Sequence, residues 1–256
     1  MPGPPLNRED WMRGYEYVLS SGIFYVATER NSVVGVCCGI IRDGIWFLSG
    51  YWMLPECQGR GGGRHLTRSV WRDAAEQGAQ TYCVWSSLDM RAMASYLKLG
   101  MYPGYEILTY KVPRVSAAEM PENYTVRELE VQIACDIDAT IRGTARRADH
   151  DFFMASPGQR SFQVEFKDQP VGYFYVRNEW IGPAAWSAPK YAQMVLEQAA
   201  QRIEADEFLV TIPGCNHATI EYAISQKGKL VSNSHFFTTA TFGKLDQYLP
   251  SGPLLY

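Results

Sequence analysis

The segment Met53-Leu54-Pro55-Glu56-Cys57-Gln58-Gly59-Arg60-Gly61-Gly62-Gly63-Arg64 decides the reading of this chain. Before it, Ile45 to Leu54 is rich in aromatic and branched residues and reads as a strand that Pro55 ends. After it, Leu66, Val70 and Ala74 recur at helical spacing from Arg64 to Gln77, and Gly78 supplies a stop. Between strand and helix stand four glycines in five residues, more than a turn requires. Glycines let the backbone come close to a ligand. The helix start offers unpaired N–H groups at the positive end of the dipole, and together these features make an anion site. Arg60 and Arg64 add charge suited to a pyrophosphate. The Walker pattern fails, because Arg64-His65 follows Gly63 where it needs Lys-Ser/Thr, and G-x-G-x-x-G does not fit either.

Working outward, residues 8–20 read as a helix and 23–29 as a strand. Asn31-Ser32 is a turn, Val33 to Ile41 a second strand, and Asp43-Gly44 a hairpin signal leading into Ile45 to Leu54. Thr81 to Ser86 is a strand, Ala92 to Leu99 a helix closed by Gly100, and Glu106 to Val112 a final strand. The order predicts an α/β (α+β) mixed sheet with helices packed on it.

Pro113 to Asn123 reads as a linker, and a similar order then returns. Strands are predicted at Phe162 to Phe166, Val171 to Val176, from Trp180 to Ile181, at Phe208 to Ile212 and at Phe236 to Phe242. Gln169-Pro170 is read as a turn, and helices are predicted at Tyr191 to Ala205 and Ala218 to Gln226. Val34-Gly35-Val36 lies against Val171-Gly172-Tyr173, and Leu97-Lys98-Leu99-Gly100 against Ser225-Gln226-Lys227-Gly228, which reads as an internal duplication. Two domains follow, 1–112 and 124–256, joined by 113–123. Arg142, Arg146, Arg147, Asp149, His150 and Asp151 form a charged cluster that reads as a solvated helix face, with acceptor recognition as the other reading.

The 256 residues, 46% apolar and 20% charged, have an ordinary globular composition, which excludes disorder as the main state. A net charge of -3 argues against a general nucleic-acid binder. No apolar run reaches the roughly 20 residues of a membrane span. Met1-Pro2-Gly3-Pro4-Pro5 holds no apolar signal segment, so a cytoplasmic location is expected. Cys37, Cys38, Cys57, Cys83, Cys135 and Cys215 form no C-x-x-C pair and read as buried small hydrophobes. The four scattered histidines predict no metal site.

Gln58, Gly61 and Gly63 fit Q-x-x-G-x-G, and here the chain resembles the GNAT superfamily of acyl-CoA-dependent acetyltransferases. Asp89-Met90-Arg91-Ala92-Met93-Ala94-Ser95-Tyr96-Leu97-Lys98-Leu99-Gly100-Met101 is similar to that family's second signature, N-x-x-A-x-x-x-Y-x-K-x-G-F, with Asp89 for Asn and Met101 for Phe. The resemblance covers residues 8–112 and implies an N-acyltransferase, most simply an N-acetyltransferase, with acetyl-CoA or another acyl-CoA as co-substrate. It implies that the amides of Gln58, Gly59, Arg60, Gly61, Gly62, Gly63 and Arg64 bind the CoA pyrophosphate. Met53 and Leu54 would pair with the pantetheine arm where the sheet splays. Asp89 joins the binding set, and Tyr96 would protonate the departing thiolate. Some members carry a catalytic Glu on the strand before the loop, and this strand has none; a water chain, Tyr51 or Asp89 are the alternatives. The family's first edge strand is expected to be missing or short.

The second half has one glycine between Ile181 and Tyr191, no Q-x-x-G-x-G, and Ile224 opposite Tyr96 when the two glycines Gly100 and Gly228 are aligned. It resembles the degenerate C-terminal domain of tandem GNAT proteins, in which an Ile-Gly-Pro segment and a later Asn, here Asn216, recur. Its expected work is to cover the first domain and shape the acceptor pocket. The expected partner is a small-molecule amine, with the chain as monomer or homodimer. Alternatives are a lapsed CoA-binding or metabolite-sensing module, or O-acylation or decarboxylation on the same fold.

Overall fold

A computed structural model describes residues 8–114 and 120–256. The first half runs α1 (Arg8–Ser21), β1 (Ile23–Glu29), β2 (Ser32–Arg42), β3 (Ile45–Met53), a 3-10 turn (Pro55–Cys57), α2 (Gly62–Glu76), β4 (Thr81–Ser86), α3 (Met90–Lys98) and β5 (Tyr102–Pro113). The second half opens with β6 (Tyr124–Glu128), α4 (Val131–Arg142), α5 (Arg147–Met154), β7 (Arg160–Phe166), β8 (Gln169–Arg177) and β9 (Trp180–Trp186). A 3-10 turn (Pro189–Tyr191), α6 (Ala192–Ala200), β10 (Glu207–Pro213), α7 (His217–Ser225) and β11 (Lys229–Thr238) follow. A last 3-10 turn (Leu245–Gln247) leads into β12 (Tyr248–Leu249).

The strands join one mixed sheet in the order β1-β2-β3-β4-β11-β5-β10-β9-β8-β7-β6, with β12 paired to β9. The last long strand of each half is therefore exchanged. β11 of the second half pairs antiparallel with β4, and β5 of the first half pairs antiparallel with β10. The two exchanged strands also pair with each other. Alternation along the strands feeds two faces. On one face Val84 and Phe237 pack under α2 and α3, and Tyr110 and Val210 pack under α6 and α7. On the other face Trp85, Ile107 and Phe236 share one core with Val18 of α1, Ile137 of α4, Phe153 of α5 and the tail residues Leu254, Leu255 and Tyr256. That second core spans both halves.

The duplication is visible in equivalent hydrogen bonds. Leu54 N donates to Val34 O at 2.8 Å, and Ser187 N donates to Val171 O at 2.8 Å. Each strand is followed by a 3-10 turn that opens with proline, Pro55 or Pro189. Asp89 and Asn216 cap α3 and α7 through their side chains.

Several predicted elements shift. The turn before β8 is Lys167-Asp168, both at positive φ, and Gln169-Pro170 begin the strand. Gly182 to Trp186, read as loop, continue β9. The helix predicted to Ala205 ends at Ala200, and β11 starts at Lys229 and stops at Thr238, short of Phe242. β6 and α4, the latter closed by Gly143 in the left-handed region, are two further elements that the sequence pattern does not predict. Pro113 closes β5 and so belongs to the sheet, while residues 115–119 of the expected linker lie outside the described residues. The expectation about a first edge strand falls on residues 1–7, also outside them.

The charged cluster is not a solvated face. Asp138, Arg142, Arg146, Asp149 and His150 are buried, and only Arg147 and Asp151 are exposed, as an i,i+4 pair. Arg146 Nη2 lies 2.6 Å from Asp138 Oδ2, and Tyr173 donates to Asp138 Oδ1 at 2.6 Å. A buried carboxylate persists only with such partners. The buried Asp138 carboxyl is accordingly held well below the usual range, because Arg146 and His150 outweigh the cost of burial.

Candidate functional site

The parallel ladder between β3 and β4 runs from Ile45–Thr81 to Leu48–Val84 and stops. At that point β2 pairs Gly39 with Leu48 and Cys38 with Gly50, which leaves Ser49 as an extra residue. A β-bulge of this kind bends its strand, and β3 continues to Met53 away from β4. The bulge also resets the alternation, so that Leu48 and then Tyr51 and Met53 face α2. Ser49 Oγ is buried without a hydrogen-bond partner among the described residues. The edge of β3 from Ser49 to Met53 thus borders an opening in the sheet.

The glycine loop closes over this opening. Gln58 reaches back, its Nε2 donating to Met53 O at 3.0 Å. Gly59 and Gly61 sit at φ 78° and 88°, in the left-handed region, and a Cβ on either would meet nothing within 4 Å. Gly63 is required for a different reason, since a Cβ there would lie 2.5 Å from Tyr51 Oη. α2 has no side-chain cap at Gly61, and its first main-chain bond is His65 N to Gly61 O. Among the described residues, the N–H groups of Gly59, Arg60, Gly61, Gly62, Gly63 and Arg64 find no protein acceptor. Six free donors around a helix start, with open space before them, fit a diphosphate. Arg60 is exposed and 3.6 Å from Glu29, and Arg64 is exposed on the first turn of α2.

Tyr96 lies on α3, buried at the same face, with Phe237 of the exchanged strand 5.9 Å from its ring. Burial, with Cys37, Tyr51 and Asp89 as electrostatic neighbours, pushes its hydroxyl up from the ordinary value, so it stays protonated. Tyr51 is raised too, by burial and then Cys37. Asp89 accepts from Arg91 N at 2.8 Å and Ala92 N at 3.4 Å, which commits its carboxylate to capping α3. The structure therefore brings Met53, Leu54, the loop and Tyr96 to one opening, and sets Asp89 beside it as a cap. One cluster escaped the sequence reading: His235 of β11 lies between Ser86 of β4 and Glu106 of β5, its Nδ1 2.6 Å from Glu106 Oε1. Residues so distant in sequence meet only because the strands are exchanged.

The second half has the same bulge and splay, with different contents. Its parallel ladder stops at Ile181–Val210. The gap beyond is filled by β12, whose Tyr248 and Leu249 pair with Ala185 and Ala184. Asn216 Nδ2 donates to Tyr248 O at 3.3 Å and ties the insert down. The 3-10 turn runs directly into α6, so the free-amide loop has no counterpart. The partner of Tyr96 is Ala223 rather than Ile224. Met101 N donates to Tyr96 O, and Gly228 N donates to Ala223 O. Lys227, at φ 60°, takes the part of Gly100, at φ 80°, so aligning the two glycines displaces the register by one.

Among the described residues no group of three or more His, Cys, Asp or Glu could hold a metal ion, and no helix is long and apolar enough to cross a membrane.

Residues 2–101 match the model of the acetyltransferase (GNAT) family. No curated protein is significantly similar in sequence. A candidate acetyltransferase from Pyrococcus horikoshii shares the fold with a TM-score of 0.79 at 20% identity, over 99% of this chain and 86% of that one. A GCN5-related N-acetyltransferase from Anabaena variabilis does so with a TM-score of 0.65 at 14% identity, over 91% and 66%. A tandem GNAT protein from the clavulanic acid biosynthesis pathway gives 0.62 at 14%, over 93% and 89%. At these identities the likeness is one of fold, and it extends through both halves. The first half of the chain is thus similar to the acetyltransferase (GNAT) family, and its duplicated architecture shares the fold of tandem GNAT proteins.

Proposed function

We propose that this chain transfers an acyl group, most simply acetyl, from acyl-CoA to the amine of a small molecule, with residues 1–112 holding the thioester and 124–256 covering the acceptor side. The observation that carries the reading is the set of six unsatisfied amides from Gly59 to Arg64 beside the opened edge of β3. These amides would receive the pyrophosphate, and the main chain of Met53 and Leu54 the pantetheine arm. Bound there, acyl-CoA supplies an activated acyl carbon, which the amine nitrogen attacks as the carbon–sulfur bond breaks.

The protein's part is positioning and proton traffic. Tyr96 hands its hydroxyl proton to the departing sulfur. With Asp89 committed to α3 and Tyr51 held protonated, the ammonium proton of the acceptor leaves to water, and water returns a proton to Tyr96. The lack of a carboxylate on β3 favours a second reading, a CoA-binding module in which catalysis has lapsed.

Calorimetry with acetyl-CoA on the wild type and on Gly61→Asp tests the binding half. Asp tolerates the left-handed conformation and puts a negative charge in the cradle. Micromolar binding lost in a folded variant supports the site. Absence of binding by the wild type overturns the reading. Binding without release of free thiol across an amine panel selects the lapsed module.

A further inference from the structure

A cleft of about 110 Å³ opens between α1, α5, the β8–β9 connection and the tail beyond β12. It lies on the face opposite α2 and α3. Its walls are apolar and mostly ring-bearing: Trp11, Phe152, Phe153, Trp180, Leu254 and Leu255. A dry apolar cavity of about 150 Å³ takes a benzene ring, so this cleft, open at one side, holds about one ring.

Among the described residues, two polar atoms in this wall have no protein partner. Trp180 is 5% exposed, and its Nε1 is buried without an acceptor. Gln159 Nε2 is likewise buried and unpaired, and both residues line the cleft. A buried donor left unmet costs about 1–3 kcal/mol, and two in one small cleft point to an oxygen that belongs there. Two acidic and two basic residues line the cleft, Asp10 and Glu179 with Arg13 and Arg177, and Arg177 Nη2 sits 2.6 Å from Asp10 Oδ1, so the cleft has no strong preference for an ionic body.

A chain of packed side chains links the cleft to the opening in the sheet. Trp11 stacks on Tyr15 with ring centroids 6.1 Å apart. The Tyr15 ring and hydroxyl stand against Gly50, 3.3 and 3.4 Å from where a Cβ would be, next to the bulge at Ser49. One turn of α1 separates the cleft from the edge of β3.

We propose that this cleft binds the acceptor, an amine whose body is a single aromatic or similarly sized apolar group and which carries a carbonyl oxygen received by Trp180 Nε1 and Gln159 Nε2. The inference rests on the acyltransferase reading for the word acceptor, and on the cleft alone for the ligand's chemistry. Each half contributes a wall, so the second half acts as a specificity element.

The probes are L-phenylalaninamide, with ring and carbonyl, 2-phenylethylamine, with ring only, and methylamine, with neither. Turnover is read as free thiol from acetyl-CoA. The expected order of kcat/KM is phenylalaninamide, then phenylethylamine about tenfold lower, then methylamine lower still. Trp180→Phe should cost phenylalaninamide about tenfold and phenylethylamine less than twofold, with acetyl-CoA affinity unchanged. Gln159→Leu repeats the test at a less buried position in case the first variant fails to fold. Loss of equal size on both amines, or a wild type indifferent to ring and carbonyl, overturns the proposal. Direct calorimetry with N-acetyl-L-phenylalaninamide needs no turnover. Binding weakened by either variant sustains the cleft even if acetyl-CoA is not bound, and no binding to the wild type defeats the cleft even if it is.

Discussion

Arg42, the last residue of β2, grips Asp149 in the first turn of α5, with Nη2 2.7 Å and Nε 3.1 Å from Oδ1. Tyr17 donates to the same oxygen at 2.7 Å, and burial followed by Asp149 pushes its hydroxyl up to about 12. The pair fastens the two halves on the face opposite the glycine loop. Asp149→Asn should destabilise the protein by about 3 kcal/mol, the lower end for a broken buried pair because Arg42 keeps some contact with water. Urea denaturation followed by tryptophan fluorescence reads this loss, and Arg42→Lys should recover little of the bidentate contact.

Gly63 and Tyr51 form a steric pair. Gly63→Ala forces a Cβ against the Tyr51 hydroxyl and should lower both stability and acetyl-CoA affinity. Adding Tyr51→Phe removes the offending oxygen. Thermal melts and calorimetry on the four proteins of this cycle should show the double variant more stable than Gly63→Ala alone, a coupling of about 1 kcal/mol.

Removing the phenol of Tyr96 isolates its proton. Tyr96→Phe should keep acetyl-CoA affinity within about twofold while lowering kcat by roughly 10²-fold. The raised pKa of Tyr96 means that its acid form persists above pH 10. The wild-type rate should therefore rise with pH toward the acceptor's own pKa, with no fall from pH 8 to 10. A large loss of kcat in His235→Gln would assign the base to the His235–Glu106 pair instead.

His150 is buried, with Nε2 3.1 Å from Asp138 and Nδ1 3.0 Å from Tyr175 Oη. Burial is the largest influence on it and lowers its pKa below the ordinary value despite Asp138. The unfolded chain then binds a proton more readily than the folded one. Stability should be constant in this respect above about pH 6.5 and fall as pH drops from there to the folded value. His150→Gln should flatten that slope in denaturation curves taken from pH 5 to 7. The separate loss from Asp138, whose pKa is depressed, belongs below about pH 4.

The glycine loop, the strand that ends before Pro55 and the helix that carries Tyr96 were legible because each rests on local chemistry: a run of glycines, a proline, a helix with a closing glycine. The bulge at Ser49 was not, because it depends on how β2 registers against β3. The burial of Arg146 and His150 was hidden for a similar reason. Charged residues next to Phe152-Phe153 read as solvent-facing until α5 is packed on β8. The fate of the second splay lay in the tail, where Tyr248-Leu249 carry no signal that they will enter another strand's gap. Most of all, pairing between Trp85 and Phe236 cannot be read from a hydropathy pattern.

The exchange of β5 and β11 has a consequence for synthesis. When the ribosome has completed the first half, β4 has no neighbour on its outer side, and the strand that belongs there lies about 150 residues downstream. Loop closure over that distance is slow, and long-range pairing sets the pace of folding. The nascent protein must hold an open, partly apolar edge until β11 emerges. The structure thus predicts late, concerted closure rather than half-by-half completion, and a need for protection of β4 during the wait. Expression of residues 1–114 alone should give aggregates, which co-expression with the second half would reduce.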